Sequence, residues 1–208
     1  KEHLPNAINT LFDYLRANEN WKVIEKNFEF KRFALLLSYA DKHPEVAKEI
    51  LINTDTEGRT PLLNAIAIGN AAMLYFLLKV AENHTEILRK ILLNKDREGR
   101  TLLLNATATI TINIENTDDL TLASDKIYCI KMILESAKNH PDILAKMLTQ
   151  TDSNGNSPLT YAVTTENYLG IDYLIDAALT QPDILAEMLT QKDSNGNSPI
   201  NHSHILTR

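Results

Sequence analysis

Cysteine occurs once in the 208 residues, as Cys129, which excludes an intramolecular disulfide framework and fits a reducing, cytoplasmic compartment. No apolar run approaches the ~18 residues that would suggest a bilayer span, so no membrane partner is expected. Positive charge is in deficit, 21 Lys and Arg against 27 Asp and Glu, so the basic face that nucleic-acid binders use to neutralise phosphates is not supplied. GxSxG, P-loop, HExxH and dinucleotide fingerprints are all missing. The carboxylates are plentiful, but each belongs to a repeating helix start or turn, which argues for structure rather than a catalytic pair. The chain therefore reads as non-catalytic and free of cofactors.

Metal chemistry finds no better footing. DSNGNS at Asp152 and Asp193 starts like an EF-hand loop, yet glycine comes at its fourth position and no glutamate at its twelfth. His43, His84 and His140 share one repeat position and so serve successive helix junctions rather than one ion. His202 and His204 form an HxH pair with no third ligand in view.

What the chain has instead is repetition. DTEGRTPLLNA from Asp55, DREGRTLLLNA from Asp96, DSNGNSPLTYA from Asp152 and DSNGNSPINHS from Asp193 recur 41, 56 and 41 residues apart. The unit is thus 41 residues long, with one interval carrying 15 more. A second block precedes each phrase: HPEVAKEILINTD, HTEILRKILLNKD, HPDILAKMLTQTD and QPDILAEMLTQKD. Repetition at this period is the signature of a stacked array in which neighbours supply each other's core.

Each unit reads as three helices. Gly58 sits in a polar turn, Thr60 offers an N-capping hydroxyl, and Pro61 suits the first helical position, where its missing N–H is no loss. Gly69 and Asn70 end that helix. A second starts near Ala71 with the stripe Met73, Leu74, Leu77 and Leu78, matched by Cys129, Ile130, Ile133 and Leu134 and by Gly170, Ile171, Leu174 and Ile175. On this stripe Cys129 reads as a small core hydrophobe. A third helix begins near Thr85, where later units place Pro141 and Asp142, or Pro182 and Asp183, residues that favour a helix start.

These residues resemble the ankyrin repeats. Asp55, Gly58, Thr60, Pro61, Leu62, Ala65, Gly69, Leu77 and Leu78 fall at that family's DxxGxTPLxxA, turn-glycine and LL positions. The resemblance implies an all-α, ankyrin-like α-solenoid over residues 30–208, preceded by a helical capping region over 1–29. Against the usual ~33-residue period, about eight residues per unit are added, and the PDILAKML block supplies them as an extra or extended outer helix. Leu102 replaces the proline in the second unit and Glu166 the turn glycine in the third, so locally weaker turns are expected there. A chain that starts at Lys1 and stops soon after the last DxxG phrase reads as part of a longer protein. The long, Asn-, Lys- and Ile-rich units are similar to those of bacterial effectors delivered into host cells, and a regulatory or substrate-recruiting segment of a larger enzyme is the alternative.

The resemblance also implies that a monomeric array binds another protein on its exposed, concave turn tips. Glu57 and Arg59, then Arg97, Glu98 and Arg100, give two charged tips; Asn154 and Asn156, then Asn195 and Asn197, give two neutral ones. Arginine at such sites is favoured for its forked donors. Asn154 and Asn195 are also expected to serve backbone geometry, since asparagine tolerates left-handed φ and satisfies local N–H groups. The extra residues fall within Thr107 to Asp125, where alternating Thr and Ile suggest an extended segment or hairpin with Ile112 among its apolar edge and Asp118 and Asp119 at an acidic tip.

Overall fold

A computed structural model describes residues 35–56, 58–108 and 117–201, with only the backbone described for 117–125. The capping region expected over residues 1–29 lies outside them. Among the described residues the regular structure is helical, without a strand, and no helix is long and apolar enough to cross a membrane. The chain falls into two compact units that adjoin in sequence at Ile91 and Leu92.

In the first unit, residues 35–40 are helical and are followed by α1 (Pro44–Ile52), α2 (Pro61–Ala67) and α3 (Ala71–Glu82). The local chemistry that sets these boundaries is visible. Leu63 N–H donates to the Thr60 hydroxyl at 3.3 Å, and Pro61 occupies the first helical position, so one orphan donor is capped and another never exists. The end of α2 is closed by Gly69 N–H on the Ile66 carbonyl and Asn70 N–H on the Ala65 carbonyl. Asn70 then caps α3 by accepting Met73 N–H at 2.9 Å. Helix α1 packs against both α2 and α3, burying Val46, Ala47, Ile50 and Leu51 alongside Met73, Leu74, Leu77 and Leu78. The third-helix block forms a helix of its own, α4 (Thr85–Leu93), and His84 at its entry hydrogen-bonds the Ala40 carbonyl at 3.3 Å through Nε2.

The second unit repeats the pattern twice. Helices α5 (Leu102–Ala108), α6 (Thr117–Ala137) and α7 (Pro141–Thr149) are followed by α8 (Pro158–Thr164), α9 (Tyr168–Ala178) and α10 (Pro182–Thr190), then a short 3-10 turn, Pro199–Asn201. Like packs on like: α8 against α5, α9 against α6, and α10 against α7. The buried stripes Cys129, Ile130, Ile133 and Leu134 on α6, and Ile143, Leu144, Met147 and Leu148 on α7, supply this core.

One expectation is corrected here. The inserted stretch is not a hairpin over its described part: residues 117–125 belong to α6, so Asp118 and Asp119 lie in a helix rather than at the tip of a hairpin. Helix α6 has 21 residues against 12 in α3 and 11 in α9, which adds about 15 Å of helix. Ile112 lies outside the described residues. At Glu166 the turn keeps the geometry of the glycine turn, with Glu166 N–H on Val163 and Asn167 N–H on Ala162 carbonyls, but at φ +54°. The departure from glycine is stored as backbone strain, which makes this turn locally weaker, as expected of it.

Glu166→Gly should therefore stabilise the protein by about 1 kcal/mol, measured by urea melting, as the left-handed penalty is relieved. Leu77→Ala and Ile133→Ala, which empty fully buried positions, should each cost about 2–5 kcal/mol in the same assay. Unchanged melting curves for both would refute the packing described.

Candidate functional site

Every DxxG turn is organised by its leading carboxylate. Asp55 Oδ1 accepts Arg59 N–H at 2.9 Å; Asp96 Oδ1 accepts both Glu98 and Arg100 N–H; Asp152 Oδ1 accepts Asn154 and Asn156 N–H; Asp193 Oδ1 accepts Asn195 and Asn197 N–H. The backbone closes the same loop, for example Asp152 N–H on the Asn156 carbonyl and Gly155 N–H on the Asp152 carbonyl. The left-handed position is the glycine, with φ +79° at Gly155 and +83° at Gly196. Asn154 and Asn195 thus have no left-handed role, and the aspartate rather than the asparagine satisfies the local N–H groups.

The second carboxylate oxygen is held from the helix that follows. Asn64 Nδ2 donates to Asp55 Oδ2 at 3.1 Å, Asn105 Nδ2 to Asp96 Oδ2 at 2.9 Å, and the Tyr161 hydroxyl to Asp152 Oδ2 at 2.6 Å. These three residues escaped the sequence reading. Their signal was present, a side-chain donor nine positions after each aspartate, but it makes sense only once the helix folds back over the turn.

In the second unit the turns are bonded edge to edge. Ser153 hydroxyl donates to the Glu98 carbonyl at 3.0 Å, and Ser194 N–H donates to the Asn154 carbonyl at 2.9 Å. The glycines allow this approach: a Cβ on Gly99 would lie 2.7 Å from Ser153 Oγ, and one on Gly155 only 3.1 Å from Ser194 N. The result is one fixed row of tips. Arg97, Glu98, Asn154, Asn195 and Asn197 are exposed on it, while Asn156 turns its amide back onto Asp152 Oδ2 at 3.3 Å. Arg100 is drawn into its own turn, paired with the Glu98 carboxylate and with its Nε 3.8 Å from Asp96 Oδ2. Arg59 sits in the equivalent turn of the first unit, and Glu57 lies outside the described residues. Among the described residues no group of three or more His, Cys, Asp or Glu comes together. The His202 and His204 pair falls outside them.

Asp152 and Tyr161 shift each other's ionisation. Burial alone would raise the Asp152 pKa, but the bonds from Tyr161, Asn156 and Asn154 outweigh it and hold the carboxyl below its ordinary range. Burial and the adjoining carboxylate push the Tyr161 phenol up. The signs follow. The Asp152 contribution is present above the unfolded value near ~4 and is lost as pH falls through the lowered folded value; the Tyr161 contribution is present below ~10 and is lost as pH rises through the raised one. Tyr161→Phe should cost about 1–2 kcal/mol at neutral pH, a charge-assisted bond on a partly exposed pair. The gap from the parent should narrow below pH ~4 in acid-series denaturation curves. A pH-independent gap would show that the phenol acts only by packing.

No family model and no curated protein matches the chain. Among solved structures, the complex of a predatory endopeptidase from Bdellovibrio bacteriovorus with an immunity protein aligns at 19% identity over 81% of this chain and 90% of the matched chain, with a TM-score of 0.28. A superposition at that score does not establish a common fold.

Proposed function

We propose that the chain is a protein-interaction module of ankyrin-like helical repeats that holds its partner protein on the row of DxxG turns. Support for the repeat reading comes from the second unit, where first helix packs on first, second on second and third on third. The DxxGxTPLxxA positions also do the work that pattern needs: aspartate and glycine shape the turn, threonine or serine caps, and proline starts the helix. The third helix is the addition to the usual ~33-residue unit.

One observation carries the functional reading: the turns of the second unit are hydrogen-bonded edge to edge, and their exposed side chains differ from turn to turn. Arg97 and Glu98 give one tip both charges, while Asn154 and Asn195 give the next two neutral donors and acceptors. Such groups recognise rather than react. A scaffold already fixed by hydrogen bonds loses little freedom when it binds, so those contacts are realised as affinity. Arg97 is better placed than Arg100 to meet a partner, because the Arg100 guanidinium is engaged within its own turn.

Affinity capture followed by mass spectrometry tests this. Arg97→Glu combined with Asn154→Arg should weaken recovery of the specific partner about tenfold or more, the effect of losing one or two interface anchors, with unaltered thermal melting. Recovery of the same proteins in the same amounts would remove the turn row as the binding face.

A further inference from the structure

Asn154 and Asn195 precede Gly155 and Gly196, the only two Asn-Gly pairs of the chain, and both lie in the same hexapeptide, Asp-Ser-Asn-Gly-Asn-Ser. Asparagine before glycine is prone to cyclise, because the unhindered glycine nitrogen can reach the side-chain amide carbon. Attack requires rotation about the asparagine Cα–C bond, and this swings the asparagine carbonyl as the glycine nitrogen turns toward Cγ. Two copies with identical local sequence therefore report on their surroundings.

The surroundings differ at the groups that must move. The Asn154 carbonyl accepts Ser194 N–H at 2.9 Å, and the Cβ position on Gly155 faces Ser194 N at 3.1 Å and Asp193 Cα at 3.2 Å. Rotation there breaks a backbone hydrogen bond and drives the turn into its neighbour. At the last turn no described residue donates to the Asn195 carbonyl, and nothing lies within 4 Å of the Cβ position on Gly196. The bonds common to both turns, from Gly155 N–H to the Asp152 carbonyl and from Gly196 N–H to the Asp193 carbonyl, do not distinguish them. Both asparagines are exposed, so solvent reaches each.

We propose that Asn195 is a site of spontaneous deamidation and isoaspartate formation, and that Asn154 is protected by the turn stacked on it. In the step, Gly196 nitrogen bonds to Asn195 Cγ, the Cγ–Nδ2 bond breaks, and ammonia leaves with the proton that the glycine nitrogen gives up. Water then adds to one of the two carbonyls of the resulting succinimide and opens it to an aspartyl or an isoaspartyl residue. Either product places a new negative charge beside Asp193, and the isoaspartyl form lengthens the main chain by one methylene.

The full chain can be aged in mildly alkaline buffer, native and in guanidinium, and digested with trypsin. Cleavage after Lys146 and Lys192 places the two sites on separate peptides, Met147 to Lys192 and Asp193 to Arg208, for mass spectrometry and enzymatic isoaspartate detection. In the folded protein conversion should run about tenfold faster at Asn195 than at Asn154, the factor expected when one backbone hydrogen bond and its opening are added to the barrier. In guanidinium the two rates should converge. Equal folded rates, a gap that persists in denaturant, or an unmodified Asn195 while the unfolded chain converts would each overturn the proposal.

Discussion

In each DxxG turn an aspartate carboxylate serves several donors at once: backbone N–H groups within the turn on one oxygen, and, in the turns led by Asp55, Asp96 and Asp152, a side chain from the following helix on the other. That double attachment decides where the first helix of the repeat starts and how it leans on the turn. A carboxylate buried without these donors would be costly, whereas with them it is a fixed point. The capping hydroxyl that starts the helix and the glycine that lets the next tip approach both sit in the turn it organises.

Much of this was legible in the sequence, because local chemistry and the repeat agreed. Thr60 before Pro61, and Asn70 after Gly69, announce a helix start and a helix boundary by their own side-chain chemistry, and both cap helices there. The PDILAKML block declared a separate helix in the same way, through proline and an acid at its first turn. Residues whose role depends on a fold-back stayed hidden. Asn64, Asn105 and Tyr161 look like unremarkable first-helix positions until the helix brings them over the turn.

The inserted stretch misled for a different reason. Alternating Thr and Ile is a strand-like period that put Asp118 and Asp119 at a turn tip, whereas residues 117–125 are the helical start of α6; the alternating residues 109–114 themselves lie outside the described ones. Asn154 and Asn195 were credited with a backbone role because asparagine tolerates left-handed φ, but the adjoining glycine takes that conformation at less cost. Among the candidate tip residues, composition alone could not separate Arg97 from Arg100. Their difference is that Arg100 has partners inside its own turn.

The second unit places its turns and its helices under unlike constraints. At the DxxG turns, a carbonyl of one turn receives a donor from the next, so spacing there is fixed to hydrogen-bond length and an added residue would unzip the contact. The helices carry no such fixed spacing: α5 packs on α8 and α6 on α9, and α6 is nearly twice as long as α9 while the turns stay bonded. The turns thus lock the register of the unit and the helices absorb differences in length. Changes of side chain are what the turns can accept.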